Sequence, residues 1–261
     1  MRILFLTPQL PFPPRQGTQI RNFHLLKAAA GAHRVDLISF AREGESLEGA
    51  APLIEMCSQV KLLPAPRRDV RSRLHTLVAT PEPDLAHRLP SAGFAATLRS
   101  MLERERYDAI QVEGIEMARY VAVARAVAPR AAVVFDDHNA EHLLQARAAA
   151  VDSRDPAAWP RAIYSLIQWL KLMRYEAEVC RSVDLVLAVS EADAAALRAL
   201  APAARVRVVP NGVDTRYYRS EGDMTSDGAS LLFTGTMDYR PNVDAVRWFV
   251  SSILPVVTAS R

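Results

Sequence analysis

Short aliphatic runs that recur between helix-patterned stretches restrict the folds open to this chain more than any other feature. They fall at residues 2–7, 34–40, 60–63, 107–112, 131–136, 184–190 and 206–210. Each is apolar almost throughout rather than at alternate positions, as a strand must be when helices cover both faces of a parallel sheet. Helix-patterned stretches at 18–30, 47–57, 92–104, 116–126 and 191–200 separate them. Strand–helix–strand order repeated in this way predicts an α/β fold, an open and doubly wound parallel sheet of the Rossmann-like kind.

Local chemistry supports the same division. Ser190 stands before Glu191 and Asp193, a hydroxyl cap ahead of an acidic first turn. Gly31 follows the first helical stretch and predicts a left-handed terminator. A longer helix is expected over 157–183, with Ile163, Leu166, Ile167, Leu170 and Met173 as its packing face. After Gly212 the texture changes. Residues 213–228 are polar and read as a linker; 230–234 predict a strand and 242–254 a helix. The chain thus divides into a first domain over 1–212, the linker 213–228, and the beginning of a second α/β domain over 229–261. One strand and one helix cannot cover both faces of a sheet, so that second domain reads as incomplete.

Half of the 261 residues are hydrophobic and 23% are charged, which is globular rather than disordered. Cys57 and Cys180, the two cysteines, allow neither a disulfide framework nor a four-thiolate zinc site, and fit a reducing cytoplasm. Basic residues exceed acidic ones by three, 32 against 29, and lysine occurs only at Lys27, Lys61 and Lys171. That excess suits weak attraction to anions, and no nucleic-acid motif accompanies it. The opening apolar run ends at Pro8, too short for a secretory signal, and no uncharged stretch is long enough to span a bilayer. One basic stretch, Lys61, Arg67, Arg68, Arg71 and Arg73 opposed by Asp69, precedes Leu74, Leu77 and Val78. It fits either a peripheral contact with the inner face of the cytoplasmic membrane or a solvated helix face.

A doubly wound sheet binds ligands at the carboxyl ends of its strands. The loop after the first strand, 8–17, carries four prolines and ends at Gly17, where backbone can approach an anion at a helix amino end or simply turn. Neither G-x-x-x-x-G-K-[ST], G-x-G-x-x-G nor G-x-S-x-G occurs, which excludes the usual phosphate-loop, dinucleotide and hydrolase-elbow chemistry. The most pointed cluster is Asp136-Asp137-His138-Asn139-Ala140-Glu141-His142. His138 to His142 fits H-x-x-E-H, the inverted zinc-protease pattern, but that chemistry needs both histidines on one helix, and His138 falls at a strand end. As a cleft residue, His138 is suited to hydrogen bonding or charge stabilisation.

Taken in order, the proline-rich Gly loop, DDHNAEHLL, VPNGVD and FTGTMDYRPNVDAVRWF resemble a family 4 glycosyltransferase of the GT-B fold, of a bacterial cell-envelope or exopolysaccharide type. The resemblance implies two Rossmann-like domains around a cleft, an acceptor side first and a nucleotide-sugar side second. It implies transfer with retention, no cofactor and no metal. Its partners would be a nucleotide-sugar donor and a glycan or lipid-linked acceptor, without nucleic acid. Carried over by position, His138 would lie by the transferred sugar, and Gly17 and Gly235 near the donor phosphates. Asn139, Glu141, Ser190, Glu191, Asn211 and Gly212 would line the cleft. The donor-side Arg/Lys pair and E-x7-E carboxylates of the family would fall beyond residue 261, so the chain alone is expected to bind donor weakly and turn over negligibly. Two other readings stand beside this one: a non-catalytic acceptor-binding or interaction domain, and a zinc hydrolase using HNAEH.

Overall fold

The structure, a computed structural model, describes residues 1–69, 76, 79–216, 218, 219, 230–237 and 240–259. The chain forms two compact units, Met1–Gly212 and Val213–Arg261. In the first, the described residues contain seven strands: β1 Arg2–Thr7, β2 Arg34–Ala41, β3 Gln59–Pro64, β4 Ala109–Glu113, β5 Ala132–Asp137, β6 Leu185–Ala188 and β7 Val206–Val208. They make one sheet in the order β3-β2-β1-β4-β5-β6-β7, every pairing parallel. This is the doubly wound α/β sheet that the alternating apolar runs predict. The strand order reverses between β1 and β4, and such a switch point opens a crevice at the carboxyl edge.

Helices α1 Gly17–Ala30, α2 Ala51–Met56, α3 Ala92–Arg104, α4 Val121–Val127, α5 Glu141–Asp152, α6 Trp159–Ser182 and α7 Glu191–Leu200 surround the sheet. Because successive strand residues point to opposite faces, β1 feeds two cores. Leu4 and Leu6 join Phe94, Leu98, Phe135 and Leu172 on one side. Phe5 joins Leu26, Leu37 and Leu53 on the other. Ser190 caps α7 as expected, its Oγ accepting the Asp193 N–H at 3.1 Å.

Four features differ from the expectations. Gly31 is right-handed (φ −65°), and α1 ends instead with Gly31 donating to Lys27 at ordinary helical spacing and Ala32 and His33 both donating to Ala29. Helix α5 was not foreseen; its Ala-rich composition gives little apolar contrast around the helix. The face expected to pack α6 is largely turned outward: Ile163, Leu166 and Leu170 are exposed, while Ser165, Gln168, Leu172 and Glu176 are buried. Polar anchors set that rotation. Gln168 accepts the Asp84 N–H at 2.7 Å and Glu176 accepts the Glu141 N–H at 2.8 Å.

In the second unit, residues 230–234 form no strand, and Leu231, Leu232 and Phe233 are exposed. A strand needs a partner to satisfy its backbone, and the described residues of this unit supply none. Helix α8 Arg240–Trp248 and α9 Leu254–Ala259 are joined by a π-helical turn, Phe249–Ile253.

Candidate functional site

Strand register assembles the site. Glu113 ends β4 opposite Asp136 of β5, and the period of two puts His138, just past the end of β5, on the side of Asp136. The Nε2 atom of His138 lies 3.0 Å from Glu113 Oε2. Gln111 donates to the other Glu113 oxygen at 3.1 Å, and the Asn22 amide of α1, turned with nitrogen toward Glu113, donates at 2.9 Å. Asp136 accepts a two-pronged grip from Arg21 of α1, at 2.8 and 2.9 Å. The same guanidinium donates to the Val209 carbonyl at 2.8 Å and to Asn211 Oδ1 at 3.1 Å. Glu113 and Asp136 are wholly buried, so each depends on these partners.

Electrostatics follow from that burial. Desolvation alone would lower the His138 pKa, but the hydrogen bond to Glu113 and the charges of Glu113 and Asp136 outweigh it and raise it, so the imidazolium is favoured. Asp137 points away from this relay. Burial, and then the nearby Glu176, Glu141 and Asp136 carboxylates, hold its pKa well above the usual range. Neither Asp137 oxygen finds a donor, which fits a protonated carboxyl facing Glu176. Glu141 is pushed up to about 7, by burial first and then by Glu116 and Glu176, against the pull of Asn139 and Arg88.

These groups open on a cavity of about 300 Å³ at the carboxyl edge of the sheet. Thr18, Arg42, Arg88, Gly114, Glu116, Asp137, His138, Asn139 and Glu141 line it. Gly114 is required there twice over. Its φ is +81°, and a Cβ would stand 3.1 Å from Glu116 Oε2 and 3.6 Å from His138 Nδ1.

Glu113, Asp136 and His138 bring their ligand atoms within 4.8 Å of one another, as a metal centre would. Both Asp136 oxygens are engaged by Arg21, however, and a guanidinium at that point repels a second cation. The other histidine of HNAEH does not converge on His138. His142 Nδ1 bonds Glu176, so the paired-histidine geometry of the zinc reading is absent from this segment.

The sequence matches the family model described as Glycosyltransferase Family 4 over residues 15–217. The chain belongs to Glycosyltransferase Family 4. No curated protein sequence is significantly similar to it. Solved structures similar to the chain include the sucrose-phosphate synthase of Thermosynechococcus elongatus, at 12% identity and a TM-score of 0.48, covering 82% of this chain and 91% of that one. The amino-terminal domain of Candida albicans trehalose-6-phosphate phosphatase is similar at 12% identity and TM-score 0.45, over 83% of this chain and 49% of that one. Medicago truncatula UGT71G1, complexed with UDP-glucose, is similar at 12% identity and TM-score 0.46, over 95% and 57% respectively. The chain therefore spans about half the length of the latter two.

Within this family frame, the structure brings His138, Asn139 and Glu141 together in one cavity, with Asn139 donating to Glu141 at 3.5 Å. Gly17 begins α1 and faces open space, while its neighbour Thr18 lines the cavity. Asn211 joins the site through Arg21, and Gly212 next to it is exposed. Ser190 and Glu191 are not among the cavity-lining residues: Ser190 caps α7, and Glu191 is exposed 3.7 Å from Arg198. Gly235 belongs to the second unit, where Asn242 and Phe233 fill the place a Cβ would take, at 2.8 and 3.0 Å. Sequence reading missed Glu113, Arg21, Asn22 and Gly114. A buried acid ending a strand one residue before a glycine, Glu113-Gly114, was the available signal for two of them.

Of the basic stretch at 61–78, Arg71, Arg73, Leu74, Leu77 and Val78 lie outside the described residues. Arg67 pairs with Glu43 at 2.5 Å on the surface, and Arg68 turns inward to Asp84 at 3.1 Å. Among the described residues no helix is long and apolar enough to cross a membrane.

Proposed function

We propose that this chain supplies the acceptor side of a retaining glycosyltransferase that moves a sugar from a nucleotide-sugar to a glycan or lipid-linked acceptor. Bacterial polysaccharide or cell-envelope synthesis in the cytoplasm is the setting this reading assigns. The observation that carries it is His138, held by Glu113 at 3.0 Å on the wall of a cavity at the carboxyl edge of the sheet.

Glycosyl transfer builds positive charge on the sugar and negative charge on the leaving diphosphate, so a site needs fixed dipoles and excluded water. Glu113 orients the ring of His138 and favours its protonated form, which makes it a hydrogen-bond donor toward bound sugar or phosphate oxygen. The amino end of α1, with no acidic residue in its first turn, and Arg42 on the cavity wall favour the diphosphate. Glu116 and Glu141 face the same space and accept hydrogen bonds from sugar hydroxyls. In this reading Arg21 occupies the position a cation would take and no metal takes part.

The test is transfer from a panel of nucleotide-sugars to glycan and lipid-linked acceptors by this chain completed with a donor-side domain, with the product anomer read by NMR. His138→Ala should lower transfer about 100-fold, and chelators should not change it. Equal transfer by the variant, or an inverted anomer, would sink the assignment.

A further inference from the structure

The outward face of α6 is a surface in its own right. Trp159, Ile163, Leu166 and Leu170 repeat at three- and four-residue spacing, so they form a single stripe. All are exposed, by 57%, 59%, 45% and 52%. Ala146, Ala149 and Ala150 of α5 stand across from the stripe, and a groove of about 610 Å³ with an almost wholly apolar lining runs between the two helices. A contiguous apolar patch of this kind marks a contact surface.

Its rim is basic. Arg147 lies one helical turn before Ala150, Arg154 follows Ser153 in the turn beyond α5, and Arg174 lies one turn beyond Leu170. All three are exposed, and among the described residues none is in an ion pair. Of the acids nearby, Asp152 at the end of α5 is buried, Asp155 is turned to accept the Ala157 N–H at 3.0 Å, and Glu178 lies a further turn along α6.

We propose that this α5–α6 face rests on an anionic membrane surface, the stripe entering the acyl boundary and the arginines meeting lipid phosphates. A second copy fits less well, because two-fold pairing sets like patches together and would oppose arginine rims. Lipid phosphates neutralise the same rim, and an apolar stripe with a tryptophan beside arginines is the pattern of an interfacial helix. Helix α5 also links this face to the cavity. From Glu141 on the cavity wall to Ala150 in the groove is about 14 Å along the helix axis. A docked molecule would therefore hold its cavity within reach of a lipid headgroup. The inference rests on the surface alone and does not require the transferase reading.

Co-sedimentation tests it, using vesicles of phosphatidylglycerol and phosphatidylcholine in equal parts against phosphatidylcholine alone. The protein should pellet with the anionic vesicles only, and release as salt is raised. Leu166→Glu and, separately, the pair Arg147→Glu with Arg174→Glu should each weaken binding at least about tenfold. Both alter exposed side chains, and far-UV circular dichroism verifies that the fold is kept. Failure of the parent protein to pellet, or variants that pellet like the parent, would overturn the proposal. So would unchanged vesicle binding accompanied by loss of a dimer on a sizing column in Leu166→Glu, which would assign the face to a second copy.

Discussion

Glu141 meets the cavity with a carboxyl group that gives up its proton only near pH 7, well above its ordinary 4.5. A folded-state value above the unfolded one means that stability is fully present below about pH 4.5 and is lost as pH rises through 7. Glu141→Gln should therefore be more stable than the parent by about 1–3 kcal/mol at neutral to alkaline pH, with the difference vanishing in acid. Urea unfolding at several pH values measures this, and a constant offset across the range would refute it. Asp137 is shifted in the same direction, so Asp137→Asn, which keeps the neutral shape, should also stabilise at alkaline pH. Arg21 behaves oppositely. Removing it in Arg21→Ala leaves Asp136 buried without its partner, at a cost of about 3–5 kcal/mol. Lysine should not rescue it, because a single ammonium cannot reproduce the fork. At Gly114 a methyl group would meet a left-handed backbone and the Glu116 carboxylate together, so Gly114→Ala should lose about 1–2 kcal/mol and move the His138 ring. Calorimetry and the histidine NMR signals would report the two effects.

Helices α5 and α6 form an antiparallel pair whose junction is polar. The buried Glu176 of α6 accepts the N–H groups of Glu141 and His142, at 2.8 and 3.4 Å, as well as the His142 ring nitrogen. It thus serves as an amino-terminal cap supplied from a distant part of the chain, where Ala140 in the cap position has no side chain to offer. Glu176→Ala should release those two amides to fast hydrogen exchange while leaving strand amides protected; unchanged exchange at Glu141 and His142 would disprove the capping role. This junction, with the Asp84 N–H that Gln168 accepts at 2.7 Å, explains why α6 buries Glu176 and Gln168 rather than Ile163 and Leu170. A buried polar group must keep its partners, whereas an exposed leucine merely forgoes a gain. The apolar periodicity at 157–183 foretold the helix correctly and its orientation wrongly, because periodicity counts side chains and not the partners waiting for them.

The whole first unit carries its own two cores and its own closed set of strand pairings. Residues 1–212 expressed alone should therefore unfold in one cooperative transition, with coincident fluorescence and circular-dichroism midpoints; separated midpoints would argue against it. How much of this molecule could be read in advance follows from the range of the forces involved. Apolar runs such as 2–7 and 131–136 already specify buried parallel strands, because covering a strand on both faces is a demand every residue in it must meet. His138, which the structure places on the cavity wall, could be singled out for a related reason, since it directly follows such a run. Asn139 and Glu141 came with it as chain neighbours. Glu113 and Arg21 were not legible, lying 25 and 117 positions from His138 in the numbering, joined to the site by register and by a helix crossing. Composition and periodicity alone decided the class of fold and the edge of the sheet at which the cavity opens. The tertiary structure decided which acids share that edge, which protons they keep, and which way the long helix faces. Those outcomes depend on desolvation and hydrogen-bond partners, and both exist only once distant segments are packed together.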